Sequence, residues 1–81
     1  MSESLARIIR SKLEDGTLPL ENPAKVLTVP GAGGGCTACE RPILSSQTEY
    51  EPEYDDRRDR IRLHAGCYSV WEEERRRHSS R

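Results

Sequence analysis

The sequence predicts a small α+β domain stabilised by one bound metal ion, and three observations carry that prediction. The chain has 81 residues, of which 33% are hydrophobic and 33% charged, with no Phe. A chain of that length buries only about 60% of the surface its unfolded form exposes, so packing alone leaves it marginal and a staple is expected. All three cysteines fall in two dyads, Cys36-Thr-Ala-Cys39 and His64-Ala-Gly-Cys67, with 24 residues between them. Helical hydrophobic spacing near both ends brackets short alternating runs in the middle of the chain.

The dyads supply four ligands: Cys36, Cys39, His64 and Cys67. Zinc prefers tetrahedral sulfur and nitrogen, and a Cys₃His shell fills every position, which points to one structural Zn²⁺. Catalytic zinc keeps a position open for water, so the same ligand count argues against hydrolysis at the metal. A lone Cys-x-x-Cys is also a redox pair, and a lone His-x-x-Cys also arises by chance burial one helical turn apart. Redox use favours a strand-helix-strand setting with the first cysteine opening the helix. Here Cys36 follows Gly33-Gly34-Gly35 and precedes Glu40-Arg41-Pro42, where no helix is expected to begin. Taken together, the dyads favour structural zinc over thiol redox chemistry and over an unmetallated site. Structural zinc in finger peptides contributes an apparent ~10–16 kcal/mol, more than the stability of an ordinary domain, so removing it is expected to unfold the C-terminal half. No catalytic or organic-cofactor residues stand out, and the chain is not expected to be an enzyme.

Leu5, Ile8, Ile9 and Leu13 recur at helical spacing, with Arg7, Arg10 and Glu14 off the stripe, so residues 3–15 read as an amphipathic helix. Ser2 or Ser4 can cap it; Gly16 occupies the C′ position, and Pro19 enforces the stop. The apolar stripe serves either the domain's own core or a partner-binding face, and only weak docking onto the rest of the chain is expected. From Leu18 to Pro30 three prolines interrupt the chain, and Lys25–Val29 is its one candidate strand. Residues 30–35 form a Gly-rich loop without the Lys-Ser/Thr of a phosphate-binding loop, which makes a flexible lead-in the expectation. The chain thus divides into an N-terminal helix with a Pro/Gly-rich extended linker, residues 1–35, and a zinc module with a C-terminal helix, residues 36–81.

Within the second part, residues 36–40 suit the tight turn of a zinc knuckle, with Ile43 and Leu44 packing behind it. A hairpin follows. Thr48, Tyr50 and Tyr54 alternate with Glu49, Glu51 and Glu53, and Pro52 suggests an edge strand. The return strand is residues 60–63, after a polar turn at residues 55–59. Its Arg60 and Arg62 face the glutamates in pairs worth roughly 0.2–1 kcal/mol each, while Ile61 and Leu63 point inward. Residues 65–78 read as a helix, with Tyr68, Trp71 and Arg75 on one stripe beside Cys67 and Val70. Glu72–Arg76 and Glu73–Arg77 are i, i+4 pairs. His64 and Cys67 then lie one turn apart where that helix starts, and the thiolate gains from the helix dipole.

A two-ligand knuckle, a hairpin and a helix giving two more ligands resembles the treble-clef arrangement of zinc modules. The Cys-x-x-Cys then His-x-x-Cys pattern is also similar to the first module of LIM domains, although the spacer is slightly long and these 81 residues carry one such pattern. The stretches Asp15-Gly16-Thr17-Leu18-Pro19, Gly33 to Cys39, Ile43, Arg62-Leu63-His64, Cys67 and Trp71-Glu72 resemble a group of short bacterial zinc-binding proteins of uncharacterised function. Those likenesses imply a fold and a metal but no activity.

Glu3, Arg7, Arg10 and Lys12 break the first apolar run, so neither a signal peptide nor a membrane partner is expected. An odd cysteine count at metal spacing suits a reducing cytoplasm. The net charge of −1 gives no global attraction to nucleic acid. A protein-interaction or regulatory adaptor is therefore the favoured function, contacting its partner through residues 3–15 or the Trp71 face. Nucleic-acid binding through Arg57, Arg58, Arg60, Arg62, Arg75, Arg76, Arg77 and Arg81 is the alternative. His78 has no cysteine at ligand spacing and is expected to be exposed.

Overall fold

The computed structural model describes residues 2–55 and 60–79. Two helices and three strands follow in the order α1 (Ser2–Asp15), β1 (Lys25–Pro30), β2 (Thr48–Glu53), β3 (Leu63–His64) and α2 (Ala65–Ser79). The strands make one antiparallel sheet in the order β1-β2-β3, so the chain is α+β as expected. The expected polar turn lies outside the described residues apart from Asp55, as do Arg57, Arg58 and Arg81.

α1 begins at Ser2, which puts Ser4 inside the first turn and not at a cap. Its stop is as expected: Gly16 adopts φ 87°, where only glycine is free of strain. The Asp15 Oδ1 accepts from the Thr17 amide at 2.8 Å, and the Leu18 amide reaches back to the Lys12 carbonyl at 3.0 Å. Weak docking of this helix is overturned. Ile9 and Leu13 are 0% and 3% exposed and share one core with Leu18, Ile43, Leu63 and Trp71, while Leu5 packs against it. The physical reason lies in the segment after the helix. Leu18 is buried, and the Pro19 carbonyl accepts from the Trp71 indole Nε1 at 3.1 Å, so the chain folds across α2 and carries α1 with it.

β1 pairs with β2 from Lys25↔Glu53 to Pro30↔Thr48. β3 pairs only at Glu49↔His64 and Tyr50↔Leu63. β2 is therefore the central strand, against the edge placement expected from Pro52. The proline is accommodated because β3 is too short to reach it. Tyr50 stacks on Tyr68 of α2 at 4.7 Å between centroids, and Tyr68 meets Trp71 at 5.8 Å, which seats the sheet on α2. The cross-strand pairing expected of the acidic run is found between Glu49 and Arg62, whereas the outward exposure expected of Glu49 is not. Glu49 is 4% exposed with Arg62 Nε at 3.7 Å, whereas Glu53 pairs with Lys25 at 3.8 Å. Its neighbour Glu51 and burial together push the Glu49 carboxyl above the usual range.

The glycine-rich segment is tied down rather than a loose lead-in. Gly31 donates to the Gln47 carbonyl at 2.9 Å, Gly33 to the Ile43 carbonyl at 2.8 Å, and Ile43 returns a bond to Gly34 at 2.8 Å. Gly31 passes so close to Ile43 and Leu44 that a Cβ there would overlap their carbonyl oxygens. Leu44, expected behind the knuckle, points outward at 52% exposure, because its backbone is held by this strand-like run and by Gln47.

Candidate metal centre

Residues 36–40 fold into a tight turn because its ends are closed by backbone bonds. The Cys36 amide donates to the Arg41 carbonyl at 2.9 Å, the Glu40 amide donates to the Cys36 carbonyl at 2.8 Å, and Gly35 bridges to Pro42. Glu40 takes φ 68°, the left-handed step that turns the chain after the second cysteine. The other dyad sits where β3 ends at His64 and α2 begins at Ala65, with Cys67 in the first helical turn. Thr37 joins the halves. Its amide donates to the Arg62 carbonyl at 2.7 Å, and its Oγ1 accepts from the Arg62 amide at 3.2 Å, two residues before His64.

The ligating atoms of Cys36, Cys39, His64 and Cys67 all lie within 4.8 Å of one another, close enough to coordinate one metal ion. His64 Nδ1 is 3.4 Å from Cys39 Sγ and 3.9 Å from Cys67 Sγ. Those separations bracket the sulfur–nitrogen distance of about 3.6 Å that tetrahedral coordination at ordinary zinc bond lengths requires. His64 Nε2 lies 3.1 Å from the Pro42 carbonyl. A carbonyl only accepts, so Nε2 carries the proton and Nδ1 keeps its lone pair for the ion, the usual outer support of a metal-bound histidine.

Cys36 and Cys67 are buried, and Cys39 and His64 half-buried. Without a cation, three thiols in one such cluster cannot all ionise. The neighbouring Cys67 holds the Cys36 thiol well below the usual thiol range. Cys67 in turn is pushed up by the nearness of Cys36 and by burial. A cation removes this conflict, since it favours the thiolate at every donor. The donor set therefore fits a divalent ion.

The structure brings together all four residues that the dyads single out. His78 is exposed in the last turn of α2 and takes no part in the group. Of the arginines considered for nucleic acid, Arg62 faces Glu49 and Arg77 meets Glu73 at 3.4 Å and Glu74 at 4.0 Å. Arg75 is buried with its guanidinium 4.3 Å from the Trp71 ring centre and 2.6 Å from Asn22 Oδ1. Arg60 is exposed. Trp71, considered as a contact face, is 0% exposed. Sequence reasoning missed the supports of the site: Thr37, the Pro42 carbonyl, and Lys12, whose Nζ bonds the Thr37 carbonyl at 2.9 Å. The signal available for Thr37 was its place between two ligands; Lys12 acts across 25 residues and leaves no local pattern.

Among the described residues no helix is long and apolar enough to cross a membrane. The chain matches no family model, no curated protein and no solved structure.

Proposed function

We propose that the chain is a structural-zinc module of the treble-clef kind that presents a surface to a protein partner. The observation that carries the metal part is the convergence of three sulfurs and one imidazole nitrogen within 4.8 Å. Thiolate-rich tetrahedral sets suit zinc and disfavour the hard cations magnesium and calcium. Four protein donors complete the shell, which supports a structural role over a catalytic one.

The partner surface falls on β1, because Trp71 and, from the stripe of α1, Ile9 and Leu13 are taken up by the core, with Ile8 the exposed member of that stripe. β1 is the longer of the two edge strands of the sheet, and Leu27 and Val29 stand on one of its faces at 38% and 37% exposure. An unpaired strand edge with apolar side chains is a template for an extended segment of another protein. The engagement of Arg62, Arg75 and Arg77 within the chain, with a net charge of −1, supports protein over nucleic acid. The test is capture of a stoichiometric protein partner by the full zinc-loaded chain. Leu27→Lys with Val29→Lys is expected to abolish capture while retaining the metal. Undiminished capture by the double variant contradicts the surface, and a chain that takes no protein partner contradicts the adaptor role.

A further inference from the structure

We propose that Lys12, 24 residues upstream of the first ligand, is a positioning residue of the metal centre that acts through the knuckle backbone. The inference rests on reading the Cys₃His group as a metal site. The Lys12 side chain is 16% exposed, and its ammonium bonds the Thr37 carbonyl at 2.9 Å and Glu40 Oε2 at 2.8 Å. Thr37 follows Cys36 and Glu40 follows Cys39, so one side chain grips the residue after each knuckle ligand.

The two contacts differ in weight. Glu40's side chain is 76% exposed, and an ion pair to so solvated a group contributes little. The Thr37 carbonyl belongs to the peptide that joins Thr37 to Ala38, midway between the two cysteines. With the Thr37 amide and Oγ1 already fixed on Arg62, Lys12 closes the third side and sets the orientation of that peptide. Rotation of that peptide would swing Cys39 relative to Cys36. Charge acts in the same direction: a divalent ion with three thiolates and a neutral imidazole carries a net −1, and Lys12 places a cation on the knuckle that holds two of those thiolates.

Arg10 provides the control. It is a second polar tether of α1, bonding Glu74 of α2 at 3.1 and 3.3 Å, away from both dyads. Zinc affinity of the full chain is measured by chelator competition, and the cobalt(II) spectrum is recorded, for the wild type, Lys12→Met and Arg10→Met. Lys12→Met is expected to keep one metal per chain, to bind it about tenfold or more weakly and to shift the cobalt bands. Arg10→Met is expected to leave the cobalt bands unchanged and to weaken zinc binding far less than Lys12→Met, since it loosens only the docking of α1 on α2. Equal losses in the two variants would show that Lys12 acts only by docking the helix, and an unaffected Lys12→Met would remove its role altogether. Should Lys12→Met fail to fold with zinc in excess, Lys12→Gln against Arg10→Gln gives the same comparison. A wild-type chain that takes up no zinc overturns the metal reading itself, which normal wild-type uptake keeps separate from the role of Lys12.

Discussion

His64 and Glu74 show what single side chains do here. His64 reaches its sulfur neighbours through Nδ1 because the Pro42 carbonyl holds the Nε2 proton, so a backbone atom selects the tautomer. Glu74 is 5% exposed and takes both nitrogens of the Arg10 fork, which holds its carboxyl below the usual carboxylate range. A carboxyl depressed in the folded state adds stability that is present above the unfolded value of about 4.3 and is lost as pH falls through the folded one. Glu74→Gln is therefore expected to lower the urea midpoint at neutral pH, with the difference narrowing as pH falls below about 4.3. A difference that stays constant over that range would assign the effect to packing alone. The Cys₃His group was legible from sequence because metal spacing is local, with the two members of each dyad three positions apart. Arg10–Glu74 and Lys12–Thr37 were not, since they join residues 64 and 25 positions apart with no periodic signature.

Both helices and the segments that form β1 and β2 were legible from periodicity and turn residues, but their assembly was not. The amphipathic pattern of α1 fixes which face is apolar and not what covers it; Leu18 and the Trp71–Pro19 bond settle that in favour of the core. Pro52 was misleading for a related reason: its edge signal depends on the length of the neighbouring strand, and β3 is only two residues long. Ile9→Ala is accordingly expected to destabilise the zinc-loaded chain by about 2–5 kcal/mol, the range for a filled core position. Ile8→Ala, at a position 43% exposed on the same helix, is expected to stay within about 0.5 kcal/mol. Denaturant melts of the two variants check this, and similar small effects at both positions would mean that α1 is not part of the core.

For the whole molecule the Cys₃His group and the apolar core are one object. Cys36, Ala38 and Cys67 are buried in the same cluster as Ile9, Leu13, Leu18 and Trp71, so the ligands bridge the knuckle and α2 from inside the core. The sequence reading expects metal removal to disorder the C-terminal half; with the core shared, the disorder is expected to reach α1 as well. The most direct test of this account is X-ray absorption at the zinc edge on the purified full chain, together with its metal content. One zinc per chain is expected, with three sulfurs at about 2.3 Å and one nitrogen at about 2.0–2.1 Å. A chain that holds no zinc, or a shell with fewer than three sulfurs completed by water oxygen, would contradict it.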